Sequence, residues 1–307
     1  MQHSSLKFIG KLFLVILPVL FIVGLWEYHL SLMPTSNTLK KKYFEKKISE
    51  VETLIVGTSH AHHGINPTYF KSKAFNLANV SQSFYYDKEL VLKYLPRMKK
   101  LKTVIIPISY FSFEFSLKDS NEYWRTFLYS RVYDIPPEDT SFYEPDIRAF
   151  SLIALYTRPV AIDYAFSRFT TPLSAVEPNG WEPLRSMGNC DFGGPRAEFH
   201  TSIMKSARRE YSSQMLEDMI TALQEKHIRI LLITTPVCHS YAAHVSPQKY
   251  KFMQERISML SNRYHIPYYN FFVDKRFVTK DFVDDHLNPY GAKKFSQILS
   301  DLVEKNK

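Results

Sequence analysis

Four short apolar runs, at 53–56, 102–108, 228–234 and 266–272, are the strongest constraint on what this chain can fold into. Each is rich in β-branched or aromatic residues and nearly continuous rather than alternating. That is the pattern of strands buried on both faces. Between them lie stretches with helical spacing: 85–99, where Leu90, Leu92 and Leu95 sit among charged residues, 204–227 and 247–264. A short strand fits 74–77, and a closing helix fits 289–304, with Gly291 and Ala292 near its start. Strands alternating with helices predict an α/β fold with a parallel sheet covered on both sides. Such sheets hold ligands at the carboxyl ends of their strands. A chain of 307 residues can form one sizeable domain of this kind, expected here over 51–307.

The alternation breaks at about 111–200, a segment rich in Tyr, Phe, Trp and Pro with turn signals at Pro136-Pro137 and Pro178-Asn179-Gly180. It reads as an insertion near the site, a lid or an acceptor-binding subdomain. Tyr123, Trp124, Tyr129, Tyr133 and Trp181 are of a type that stacks on sugar rings, although such aromatics more often build a segment's own core. Arg208 and Arg209 suit an anionic glycan, but a solvated helix face explains them more simply.

The N-terminus carries a different signal. Residues 12–26 are free of charged and polar side chains, and Lys11 is the sole charge between Phe8 and Trp26. A membrane span needs about 20 apolar residues, and this run reaches that length with a snorkelling Lys11. No small-x-small cleavage site follows; the next residues are Glu27, Tyr28, His29 and Leu30. The expectation is an uncleaved signal anchor over 1–30 and a polar, Lys-rich stalk over 31–50 that runs into a short helix. Lys7 and Lys11 precede the span and Glu27 follows it closely, which places the N-terminus inside and the bulk outside. Lys40, Lys41 and Lys42 oppose this from about four helical turns away. The expected location is therefore a bacterial cytoplasmic (inner) membrane, crossed once, with the bulk extracytoplasmic.

The net charge of +9 comes from basic residues spread among acids, so it reads as a solvated surface. No helix-turn-helix, zinc-finger or RNP-like pattern points to nucleic acid. Cys190 and Cys238 set no disulfide framework; one bridge and no bridge are both compatible with their spacing.

Two segments carry chemistry. In 54–67, LIVGTSHAHHGINP, a buried strand runs into Gly57-Thr58-Ser59-His60. Gly57 permits a sharp turn, and Ser59 falls at the strand's carboxyl edge, where a helix begins and backbone N–H groups can serve an oxyanion. Serine after a strand is also a common helix cap. In 281–295, DFVDDHLNPYGAKKF, His286 is placed to take a proton from Ser59, with a neighbouring carboxylate to orient it. Alone, each has an ordinary structural explanation. Together they form an unusual combination.

The pair resembles the SGNH hydrolase superfamily, and in particular its membrane-anchored branch linked to O-acyl transfer onto cell-envelope polysaccharides, such as the alginate O-acetylation and teichoic-acid D-alanylation proteins. The segment 75–87, FNLANVSQSFYYD, is similar to the block that follows the nucleophile strand in that branch. The resemblance covers most of 50–307, least in the aromatic segment. It implies a flavodoxin-like three-layer α/β/α sandwich, a Ser-His-Asp triad without metal or other cofactor, and two partners: a membrane-bound O-acyltransferase as acyl donor and a polysaccharide acceptor. Ser59 matches the nucleophile and His286 the base. The position three before the histidine, where many members carry the acid, is Val283. Asp284 matches the Asp-x-His form of the alginate-type proteins and is the favoured acid. Asp285 is held in reserve, because neighbouring side chains on an extended strand point to opposite sides. The family's oxyanion glycine and asparagine have no clear counterpart. The Ser59 N–H and Asn79 are the candidate donors, with a turn role for Asn79 as the alternative. Ser109 and Tyr110 fall where the asparagine block would lie.

The expected mechanism is a two-step transfer through an acyl-Ser59 resolved by a sugar hydroxyl. Three rivals accompany it. His60, His62 and His63 invite a metal, but the familiar His-x-His-x-Asp-His spacing is absent. An esterase would release the same acyl group to water. A non-catalytic scaffold would explain the missing acid and oxyanion blocks.

Overall fold

A computed structural model describes residues 2–138, 146–156, 162, 164, 174–184 and 188–305, with side chains from residue 10 onward. Parts of the aromatic segment read as a lid therefore lie outside the described residues. The chain divides into two compact units, 1–35 with 141–173 and 36–140 with 174–307.

The larger unit is built on a five-stranded sheet of order β2-β1-β3-β4-β5. Its strands are β1 (Thr53–Ile55), β2 (Ala74–Asn76), β3 (Thr103–Pro107), β4 (Arg229–Thr234) and β5 (Tyr268–Asn270). Every pairing is parallel, with Leu54 opposite Phe75 on one side and Val104 on the other. This is the flavodoxin-like order, and its chain reversal lies between β1 and β3.

Successive strand residues point to opposite faces, and the core divides accordingly. Leu54, Val104, Ile106, Ile230 and Leu232 face one layer. There they meet α4 (Phe84–Tyr94), α8 (Arg209–Glu225) and α10 (Pro247–Tyr264). Ile55, Ile105, Leu231 and Ile233 face the other, against α3 (Ser59–Gly64) and α11 (Pro289–Lys305). The helices supply matching stripes: Leu216, Met219, Ile220 and Leu223 on α8, and Ala292, Phe295, Leu299 and Val303 on α11. Spacings of three and four keep each stripe on one face. The expected three-layer α/β/α architecture is what the chain forms.

Two features differ from expectation. The short helix expected within the stalk is α2 (Ser36–Lys47), but it is packed into the domain and buries Asn37, Lys40 and Phe44. Phe44 lies 4.9 Å from the Phe75 ring and 5.1 Å from that of Tyr94. The Lys40 ammonium is wholly buried and donates to the carbonyls of Asn76 and Ala78. Burial drives its pKa well below the usual lysine value, while the Glu182 charge acts in the opposite direction. The sequence looks polar because the buried face is one residue in three or four and includes a lysine. The domain begins at α2, not at residue 51.

The flanks of the aromatic segment also belong to the main core. Phe111, Phe113 and Phe115 pack there, as do Tyr129 and Tyr133 from α5 (Thr126–Tyr133). Tyr129 stacks on Tyr86 at 4.0 Å. The turn signal at 178–180 is real: Gly180 has φ 86° and Asn179 accepts from the Asn76 N–H. Buried Trp181 donates its indole N–H to the His63 carbonyl at 2.7 Å. Arg208 and Arg209 are engaged by Asp119 and Glu114.

The smaller unit contains α1 (Gln2–Ser31), a helix continuous through Pro18. Its stretch Gly10–Ser31 has a mean hydropathy of 2.0, is unburied over its most apolar window, and is long and apolar enough to cross a membrane. The short helix α6 (Leu152–Leu155), capped by Ser151, lies against it.

Candidate active site

The site is assembled where the sheet's order reverses. After β1, Gly57 adopts φ 114°, a conformation that a side chain would strain, and a Cβ there would also approach the Pro107 carbonyl to 3.3 Å. The turn is pinned on both sides: the Gly57 N–H donates to Asp87 Oδ1 at 2.7 Å and its carbonyl accepts from the Asn79 N–H. Thr58 caps α3, so Ser59 becomes the helix's first residue, at the carboxyl edge of β1. Burial raises the Asp87 carboxyl to about 7, although Gln82 and Gly57 donate to it.

His286 arrives on a small hairpin. β6 (Phe282–Val283) and β7 (His286–Leu287) are antiparallel, with Val283 opposite His286. Asp284 and Asp285 are therefore the two-residue turn, and Asp284 takes φ 54°. Such turns favour residues that tolerate positive φ, among which Asp is frequent. His286 Nε2 lies 2.8 Å from Ser59 Oγ, and His286 Nδ1 lies 2.9 Å from Asp285 Oδ1.

The carboxylate that meets the histidine is thus Asp285, and the assignment to Asp284 is corrected. The alternation rule presumed an extended strand, whereas residue 285 sits in a turn. Asp284 faces away, accepting from the Phe192 N–H at 3.3 Å while its own N–H donates to the Asn189 carbonyl. Asn79 is corrected as well. Its side-chain oxygen accepts from Val80 N–H and Ser36 Oγ, and its amide donates to Asn37 Oδ1. It is buried beneath the loop whose Val80 and Ser81 line the cleft, and does not line the cleft itself.

Asp285 is buried and surrounded by donors that no local sequence pattern announced. His60 Nε2 stands 3.2 Å from Oδ2, and Arg196 Nε 3.4 Å from Oδ1. His200 Nδ1 is 3.8 Å from Oδ2 and 2.7 Å from the Tyr241 hydroxyl. Burial alone would raise the Asp285 carboxyl, but His286 and His60 outweigh it and hold it well below the usual carboxylate range. The chain of contacts extends from His60 Nδ1 to Ser109 Oγ at 2.9 Å and on to Thr58 Oγ1 at 2.8 Å. Burial lowers His60 and His200, keeping both imidazoles neutral, so His60 can accept from Ser109 and donate to Asp285. Arg196 and His200 come from α7 (Gly193–Ile203), four residues apart on one face. That spacing puts them on one helix face but does not mark what the face meets.

The neighbouring histidines diverge because they lie on a helix. His62 sits between the Ala78 carbonyl and Glu182, and His63 reaches the Glu182 carbonyl at 2.8 Å. The His60, Asp285 and His286 donor atoms lie within 4.8 Å of one another, a spacing compatible with a divalent ion. In the structure the His60 and His286 nitrogens instead face the two Asp285 oxygens at hydrogen-bond distance.

Ser59 opens onto a cleft of about 190 Å³. Phe111, Phe115, Phe199 and Ile203 form its apolar wall; Ser81, Glu122 and Arg196 form its polar side. Ser81 has φ 56° and donates its hydroxyl to Glu122. Among the described residues nothing accepts the Ser59 N–H. Cys190 and Cys238 are disulfide-bonded with Cα atoms 6.0 Å apart, joining the approach to α7 to that of α9 (His239–His244).

No protein-family model matches the sequence, and no curated protein does. Among solved structures, a GDSL-like lipase from Bacteroides thetaiotaomicron is similar at 10% identity and a TM-score of 0.43, over 88% of this chain and 100% of that one. An acetyl xylan esterase is similar at 9% identity and a TM-score of 0.39, over 83% of this chain and 98% of that one.

Proposed function

We propose that the protein is an SGNH-type serine enzyme acting on acyl esters, with Ser59 as nucleophile, His286 as general base and Asp285 as the acid that orients it. The observation that carries this reading is the continuous line from Ser59 Oγ through His286 to Asp285, with contacts of 2.8 and 2.9 Å. Asp285 fixes the proton of His286 on Nδ1 and leaves Nε2 to accept the Ser59 proton. Ser59 Oγ then bonds to the ester carbonyl carbon. The Ser59 N–H is the first oxyanion donor, and the backbone at Ser81, on the loop across the cleft, is the second candidate. Collapse of the tetrahedral adduct breaks the ester bond, and His286 returns its proton to the departing alkoxide, leaving an acyl-Ser59. A second hydroxyl, deprotonated by His286, attacks that carbonyl and restores Ser59.

The finer proposal is that this second hydroxyl belongs to an extracytoplasmic polysaccharide, with the acyl group supplied by a membrane-bound O-acyltransferase. The apolar helix α1, read as a single-pass anchor, and the Cys190–Cys238 bond, which suits an oxidising compartment, support that placement. Water as the acceptor would make the same site an esterase. Full-length protein in detergent, given p-nitrophenyl acetate with and without an oligosaccharide acceptor, separates these outcomes. Nitrophenol release that is lost in Ser59→Ala and His286→Ala and resists EDTA supports the serine mechanism. Acetylated oligosaccharide supports transfer, and acetate alone supports hydrolysis. Release undiminished by Ser59→Ala would overturn the proposal.

A further inference from the structure

We infer that residues 146–156 form a second membrane contact, a lipid-facing foot at the depth where α1 leaves the bilayer. The inference rests on α1 crossing a membrane, part of the reading above. It depends on nothing at Ser59.

The depth is set by Glu27. It is the first charge after the apolar run that ends at Trp26, so its carboxylate belongs at the boundary between acyl chains and water. That carboxylate is the cap of the second segment. It accepts from the Ser151 hydroxyl at 2.5 Å, the Leu152 N–H at 2.8 Å and the Ile153 N–H at 3.2 Å. A segment whose backbone is bonded to Glu27 is held within a few ångströms of the same plane.

At that plane the segment exposes apolar side chains. Ile147 is 69% exposed and Phe150 74%, with Ile153 at 37%. These three positions, spaced by three, lie on consecutive short helical turns. Asp146 caps the first turn and pairs with Arg148, and Ser151 caps the second. Apolar residues left bare in this way suit an interfacial seat, with the backbone N–H groups of 148–156 already bonded. Trp26 and Tyr28, both exposed beside Glu27, are the aromatic types enriched at the same boundary.

The test uses the full chain in vesicles of phosphatidylcholine and phosphatidylglycerol, with a nitroxide attached to Phe150→Cys or Ile147→Cys and the native disulfide left oxidised. A label on Val19→Cys, in the middle of the apolar run, and one on Lys251→Cys, exposed on α10, provide the lipid and water references. The expected result is a shift of oxygen over nickel-chelate accessibility at 150 and 147 toward the value at 19. Values at 150 and 147 equal to that at 251, with 19 in lipid, would overturn the foot and leave the span intact. A water value at 19 would overturn span and foot together and leave the serine chemistry as it stands.

Discussion

Asp285 and His286 are neighbours in sequence, yet their side chains meet on the same side, with Asp285 Oδ1 2.9 Å from His286 Nδ1. Two consecutive residues on an extended strand cannot do this. They can here because Asp285 is the second residue of a two-residue turn and Asp284, at φ 54°, reverses the chain before it. The same turn sends the Asp284 carboxylate to the Phe192 N–H, fastening the segment that precedes α7.

The two aspartates therefore have separable roles. Asp285→Asn should lower kcat for p-nitrophenyl acetate by about 10³–10⁴-fold, since the amide no longer holds the histidine in the needed tautomer. Asp284→Asn should change kcat by less than about tenfold and cost about 1 kcal/mol of stability through the weakened bond to Phe192. Parallel kinetics and thermal unfolding of both variants check this. Equal losses of kcat would contradict it.

Asp87 should make stability depend on pH. Its folded carboxyl is raised to about 7, whereas an unfolded aspartate titrates near ~3.9. A raised value favours the protonated form in the folded chain. The contribution is fully present below about pH 4 and is lost as pH rises through about 7, on the order of 4 kcal/mol in all. Asp87→Asn keeps an oxygen for the Gly57 and Gln82 donors and removes the titration. The variant should show a flatter stability profile and be more stable than the parent at pH 8, as read by urea unfolding at several pH values.

Helix α2 should be required for folding of the larger unit. Phe44→Ala should cost about 3–5 kcal/mol, the usual penalty for emptying a core aromatic position. A form beginning at residue 51 should be unstable, while one beginning at residue 34 keeps α2 and its contacts. Lys40→Met leaves the Asn76 and Ala78 carbonyls without their ammonium donor, beneath the loop that carries Ser81. It should lower kcat more than it changes KM. Unfolding curves and steady-state kinetics decide each case.

The layered fold was legible because its signals are local. Continuous runs such as Leu54-Ile55-Val56 and the stripe Ala292, Phe295, Leu299, Val303 report burial directly through their spacing. Ser59 and His286 were legible as candidates because each stands at the junction of a strand and a helix. The acid was misassigned because the alternation of side chains on an extended chain was applied just before His286, where a two-residue turn lies. Lys40 concealed the burial of α2, because a buried lysine looks the same in sequence as a solvated one. Arg196 and His200 reach the site from a distant helix, and nothing local marks that convergence, whereas Ser109 was singled out only through the family resemblance. Tyr129 and Tyr133 are of a type that stacks on sugar rings but more often builds a core; the stack on Tyr86 decides for core.

The proposed chemistry requires Ser59 to carry the acyl group. Its most direct test is intact-mass and peptide mass spectrometry of the full-length protein quenched with acid shortly after mixing with p-nitrophenyl acetate, beside Ser59→Ala and Asp285→Asn. One added acetyl mapped to Ser59 is expected, absent in Ser59→Ala and slow to form in Asp285→Asn. An acetyl group on another residue that persists in Ser59→Ala, or nitrophenol release with no adduct and no dependence on Ser59, would contradict it.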